Sequence, residues 1–172
     1  IDGAFLAGYR EQNEADTFAS WFNINKDNQA LMVFANSQTG ENYEDGDGRE
    51  VTPTYFTKRQ AGLDYRIELD DSEFGISYHY SDTNDSGSPA IAMDIDFIYG
   101  NRVNIDGKFK VEGWNVNWVI GYLDSIHGMD NFSKRPGVMP AMERYNYATA
   151  NTTDFKLHID NGNQQNLWKF GI

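Results

Sequence analysis

The sequence predicts an all-β fold: an antiparallel up-and-down meander of about nine strands, one part of a transmembrane β-barrel wall. Three observations predict it. Apolar and polar residues alternate along segments of up to 13 residues, the period of a pleated strand, and such lengths suit a tilted membrane span. Connections alternate between short turns and long polar loops, which puts all short turns on one rim and all long loops on the other. The apolar face is rich in Tyr, Trp and Phe near strand ends, where interfacial girdles lie.

The elements follow in order. Residues 3–10 place Phe5, Ala7 and Tyr9 on one side. Residues 17–24 place Phe18, Phe22 and Ile24 there, and residues 29–38 add Leu31, Val33 and Ala35. In 57–69, Ala61, Leu63, Tyr65, Ile67 and Leu69 alternate with Gln60, Gly62, Asp64, Arg66 and Glu68. In 73–82, Phe74, Ile76, Tyr78 and Tyr80 oppose Gly75, Ser77, His79 and Ser81. In 101–111, Val103, Ile105, Gly107, Phe109 and Val111 oppose Arg102, Asn104, Asp106, Lys108 and Lys110. Segment 114–126 follows with Trp114, Val116, Trp118, Ile120 and Tyr122 on one face. Segment 148–159 opposes Thr153, Phe155, Leu157 and Ile159 to Thr152, Asp154, Lys156 and His158. Residues 165–171 end the series with Trp168 and Phe170. Short turns are expected at 26–28, 70–72, 112–113 and 161–163, a modest loop at 11–16, and long loops at 39–53, 83–96 and 127–147.

Composition narrows the function. With 26 acidic and 14 basic residues the net charge is −12, which argues against nucleic acid as a partner, because phosphate binding needs basic patches. There is no cysteine, so disulfides and thiolate chemistry from this chain are excluded. No apolar run is long enough for a membrane helix. There is no Gly-x-Ser-x-Gly elbow, Walker loop or His-Glu-x-x-His, and Ser125, His127 and Asp130 lie too close in sequence to make a catalytic triad. The chain is therefore read as no enzyme.

The sharpest chemical feature is His127-Gly128-Met129. On a strand, His127 and Met129 point the same way, at the long-loop rim. Imidazole plus thioether suits a soft, oxidisable metal such as copper, and Cu(I) in particular. The bland alternative is that His127 ends the strand and Met129 fills a gap. Met139 and Met142 add two thioethers to the same loop. Tyr43-Glu44-Asp45-Gly46-Asp47-Gly48 looks like half a calcium loop but lacks the spaced ligands and closing Glu, so it reads as an acidic turn. His79 and His158 lie on polar faces of separate strands and read as solvated or hydrogen-bonded residues.

Asn42-Tyr43-Glu44-Asp45-Gly46-Asp47-Gly48 and the run from His127 to Pro136 (HGMDNFSKRP) resemble stretches of TonB-dependent copper receptors of bacterial outer membranes. Ser88-Pro89-Ala90-Ile91-Ala92-Met93-Asp94 is similar to a Met-Asp loop segment of that group. The likeness is collinear over most of the chain. It implies a 22-stranded barrel plugged by an N-terminal domain, with copper captured outside and imported by TonB-driven movement of the plug. In the family the His and Met of His-x-Met bind copper with a Cys and a Met from the plug. Only the first two carry over, onto His127 and Met129. On this reading residues 1–172 are the N-terminal part of the receptor barrel without its plug domain. Its partners are outer-membrane lipid, the copper ion and, through the absent plug, TonB. Two rivals are kept: a TonB-dependent receptor for a metal chelate or other small nutrient, and a soluble β-sandwich binding module, which would bury its aromatic face against a second sheet.

Overall fold

The structure, a computed structural model, describes residues 1–161 and 169–171. One nine-stranded antiparallel sheet carries the chain. Its strands are β1 (Asp2–Arg10), β2 (Ala15–Lys26), β3 (Gln29–Gly40), β6 (Phe56–Leu69), β7 (Ser72–Ser86), β8 (Asp94–Val111), β9 (Trp114–Asp130), β10 (Tyr145–Asp160) and β11 (Lys169–Gly171), in that spatial order. Between β3 and β6 a separate two-stranded hairpin forms from β4 (Tyr43–Glu44) and β5 (Glu50–Val51). Every strand in the large sheet pairs with its sequence neighbours in that sheet, as an up-and-down meander requires. Of the ninth expected strand, Trp168 and the preceding turn at 162–163 lie outside the described residues.

The short turns sit on one rim. Asp27 and Asp70 take positive φ (52° and 46°), and Glu112-Gly113 takes positive φ at both central positions (48° and 86°), the I′ geometry that matches strand twist. The opposite rim holds connections 11–14, 41–55, 87–93 and 131–144. The first is short and contains a 3-10 turn, Glu11–Asn13, closed by Glu14 in the left-handed region.

Register places the expected apolar residues in continuous rows. One row runs Tyr65, Ile76, Ile105, Ile120, Phe155, and the next Leu63, Tyr78, Val103, Tyr122, Thr153. These rows are not covered. Ile105, Ile120, Ile76 and Phe155 are all about half exposed, and Ala15 is the only buried hydrophobic among the described residues. A water-soluble domain of this length would bury about 70% of its unfolded surface. No second sheet is stacked on the apolar face among the described residues. This is the opposite of the buried aromatic face that a β-sandwich requires, and it sets that rival aside. Tight packing on this face occurs within it: the Trp118 indole lies over Gly107, where a Cβ would sit 2.7 Å from Trp118 Nε1.

The other face carries the ion pairs that join neighbouring strands. Arg66 Nη1 meets Glu73 Oε1 at 2.9 Å and Asp106 Oδ2 at 3.1 Å, and Lys108 also pairs with Glu73. Arg102 Nη2 meets Asp154 Oδ1 at 3.3 Å, and Asn104 Nδ2 donates to Ser77 Oγ at 3.1 Å. Such a face needs water, as a barrel lumen provides. It is less uniformly polar than the alternation implied. Over β1–β3 it presents Leu6, Trp21, Met32 and Phe34; register puts Trp21 opposite Phe34, and Phe34 opposite Gly62. The Phe34 ring occupies the space left by Gly62 and meets His79 edge-on at 5.4 Å.

Candidate metal site

The apolar band ends before the long-loop rim. Above the Leu63–Tyr122 row comes Ala61, Tyr80, Asn101, Asp124, Asn151, where the same face turns polar. From Trp114 to Tyr122 the band covers about 27 Å along the strand, or about 20 Å of height at a barrel tilt near 40°. Strand β9 continues beyond it to Asp130. His127 and Met129 thus belong to the projecting end of a strand and not to a loop, as a 127–147 loop implied. Likewise β7 runs to Ser86 and β8 starts at Asp94, which shortens the 83–96 loop to 87–93.

His127 pairs in register with Ile98 and Ala148, and Met129 with Ile95 and Asn146. Both lie on the polar, lumen-type face, their Cα atoms about 7 Å apart along the strand, and both are half-buried. A bulge at Asp96 in β8 shifts its partner register between Ile95 and Phe97, so β8 keeps an aliphatic side chain beside each of the two ligand-type residues. Gly128, between them, faces the other way. There Phe97 and Tyr145 close on it so tightly that a Cβ would lie 2.7 Å from Phe97 Cε1 and 2.6 Å from the Tyr145 hydroxyl. Phe97 stacks on Tyr99 at 5.2 Å and meets Tyr147 edge-on at 6.3 Å. The glycine in His-Gly-Met is the position that admits this aromatic backing.

The three histidines differ in engagement. His79 Nε2 lies 3.4 Å from Asp64 Oδ2, and His158 Nε2 lies 3.3 Å from Asp160 Oδ2. His127 makes no hydrogen bond or ion pair among the described residues, which leaves its ring nitrogens open to a ligand. Met139, at 62% exposure, precedes the 3-10 turn Pro140–Met142, and Met142, at 55%, ends it. Asn131, two residues beyond Met129, donates from Nδ2 to the Met142 carbonyl at 3.1 Å. With Met93, four of the five methionines stand at this rim.

The carboxylates nearby are already used. Asp94, the most deeply buried side chain, accepts from Arg135 at 2.6 Å and 3.0 Å and from the Ser88 N–H at 2.9 Å. Hydrogen bonding to Asp94 raises the Arg135 guanidinium above its usual value. Asp130 Oδ1 accepts the N–H groups of Phe132 (2.9 Å) and Ser133 (2.7 Å). Burial opposes its ionisation, yet hydrogen bonds from Ser133 and Phe132 and the charge of Lys134 hold its carboxyl below the usual range. Burial would likewise lower the Lys134 ammonium, but Asp85 at 3.2 Å, with Tyr55 and Asp96 nearby, holds it above the lysine value. Ser125 and Asp130 make no hydrogen bond with His127, so no triad forms. In the acidic turn, Asp45 Oδ1 accepts the N–H groups of Asp47 and Arg49, each at 2.9 Å. That is an Asx-closed hairpin and no calcium loop. No group of three or more His, Asp or Glu among the described residues is placed to hold a metal. The sequence missed Arg135, Asp94 and Lys134 as the residues that organise this rim.

No family model matches the chain, and no curated protein matches it. Among solved structures, the copper transporter OprC is similar, with a TM-score of 0.77 and 17% sequence identity over 92% of this chain and 24% of that one. The chain thus spans about a quarter of that protein's length, and at this identity the likeness shows a shared fold alone, an antiparallel up-and-down meander.

Proposed function

We propose that this chain forms one side of an outer-membrane barrel that imports copper, and that His127 and Met129 capture the ion from outside. The observation that carries this is the pairing, on one strand end above the apolar band, of a histidine without a partner and a thioether on the same face. An imidazole nitrogen and a thioether sulfur bind Cu(I) well, while hard cations prefer oxygen ligands. The exposed apolar rows meet lipid, and the ion-paired face lines the lumen. The barrel is completed to 22 strands by chain beyond these residues, and the remaining ligands come from a plug whose TonB-driven movement releases the ion inward. Copper is the cargo here, and the chain's own chemistry is binding and release.

The test is His127→Ala with Met129→Ala in the full receptor, followed by metal analysis of the purified protein loaded with Cu(I). Copper content should fall to background while the barrel still inserts. Unchanged copper content would remove the site. Loading with free copper against a panel of metal chelates separates this reading from a chelate receptor.

A further inference from the structure

We propose that Arg135 is a positioning residue that fastens connections 87–93 and 131–144 into one unit at the strand end bearing His127 and Met129; its metal-related part rests on the function proposed above. Arg135 belongs to the connection after β9, yet every partner of its side chain lies in the connection before β8 or at that strand's first residue. Its Nε and Nη2 reach Asp94 Oδ2 and Oδ1 at 2.6 and 3.0 Å, and Nη2 also donates to the carbonyls of Ser88 (2.9 Å) and Ile91 (2.7 Å). Asp94 is fully buried, and its Oδ1 takes the Ser88 N–H as well. One guanidinium thus closes the 87–93 connection on itself and binds the 131–144 connection to it. Lys134, its neighbour, has a side chain 4% exposed and pairs with Asp85 and Asp96 at 3.2 and 3.6 Å, on the two strands that lead into and out of 87–93. Two adjacent cations therefore dock one loop on the other.

This arrangement sits where it can govern the metal. Strands β8 and β9 are paired, and Ile95, next to Asp94, is the register partner of Met129. Asn131 joins the far side of the same loop through Arg144 N–H (2.7 Å) and the Met142 carbonyl. Arg135 thereby joins the connections on either side of the β8–β9 strand end that carries His127 and Met129. A bidentate, planar contact is specific to arginine, because a lysine offers a single point charge and cannot hold the carboxylate and two carbonyls together.

The experiment uses the full receptor with Arg135→Ala, Arg135→Lys and Asp94→Asn, loaded with Cu(I). Two quantities are read: amide exchange in 87–93 and 131–144, and the rate at which Cu(I) passes to a chromogenic chelator. Exchange should quicken in both connections together, and Cu(I) should leave about tenfold faster, as for loss of an outer support of a metal site. Arg135→Lys, which keeps the charge but loses the bidentate grip, should also release copper faster than the parent, a change in metal release that a merely structural role would not produce. Loops that loosen separately, or that loosen together while copper leaves at the parent rate, would overturn the proposal. If instead the His127/Met129 double variant keeps its copper, the site assignment fails, while the exchange data still decide whether Arg135 couples the loops.

Discussion

The two long connections that flank the sheet's rim treat their charges in opposite ways. Connection 41–55 carries Glu41, Glu44, Asp45, Asp47 and Glu50, and it satisfies its backbone from within: Asp45 closes the β4–β5 turn, and Asn42 Oδ1 takes the N–H groups of Thr54 and Tyr55 at 2.7 and 3.1 Å. Its ties to neighbours run through the backbone: the Glu41 N–H donates to the Asn13 carbonyl at 2.8 Å, and the Gly87 N–H donates to the Tyr55 carbonyl at 3.0 Å, with Pro53 against Gly87. Connection 131–144 is held from outside, by carboxylates at Asp94, Asp85 and Asp96 that belong to other elements. The abundance of acidic groups in the first loop marks a self-contained turn. The second loop spends its cations Lys134 and Arg135 on carboxylates of other elements and leaves the His127 ring and the thioethers unengaged. Counting potential ligands points to the first loop, and counting unengaged ones points to the end of β9, where the proposed site lies.

The sharpest break in this contrast comes from two glycines. Gly128→Val would push Cβ into Phe97 and Tyr145 behind His127 and Met129, and overpacking of this kind costs about 1–3 kcal/mol. Gly46→Val, in the acidic turn, meets nothing within 4 Å and should change stability by no more than about 0.5 kcal/mol. Thermal denaturation of the two variants in detergent checks the difference. Equal midpoints would mean that the aromatic backing of His-Gly-Met is not rigid.

A smaller difference separates two aspartates with the same local role. Asp130→Ala strands two N–H groups at a position 3% exposed, which costs about 1–3 kcal/mol. Asp45→Ala removes the same number of bonds at an exposed turn and should cost about 0.5–1 kcal/mol. Limited proteolysis of the intact barrel reads both: cleavage within 131–144 should rise strongly for the first, cleavage within 41–55 modestly for the second. Comparable cleavage would dissolve the distinction between a docked and a self-contained loop.

The strands were legible because a pleat leaves a two-residue signature wherever its two sides meet different media, and the Tyr65–Phe155 row shows how cleanly that held across five strands. Legibility stopped where both sides are wet. Thr83-Asn84-Asp85-Ser86 is polar throughout, so β7's extension beyond the band carried no alternation. In β8 the bulge at Asp96 breaks the phase between Ile95 and Phe97, and the strand read as loop. Leu6, Trp21, Met32 and Phe34 went unweighed because they share strands with a stronger apolar face. That His127 and Met129 share one face was legible from spacing alone, since residues two apart on a strand need no tertiary information. The Arg135–Asp94 pair could not, because it joins positions 41 apart through loop conformations that no periodicity encodes.

The mildest effect is that of pH on the docked loop, and its sign follows from two groups. Asp130 is held below the usual carboxylate value, so its contribution is complete above about pH 4 and is lost as pH falls through its lower folded value. Lys134 is held above the usual lysine value, so its contribution is complete below about pH 10 and is lost as pH rises through its higher folded value. Protection of 131–144 against proteolysis should therefore be flat across neutral pH and decline at both extremes, by less than the Asp130→Ala change at either end. The acid limb should vanish in Asp130→Ala, and the alkaline limb in Lys134→Met. A decline that begins near neutral pH would show that the Asp130 carboxylate and the Lys134 ammonium do not control the docking of this loop.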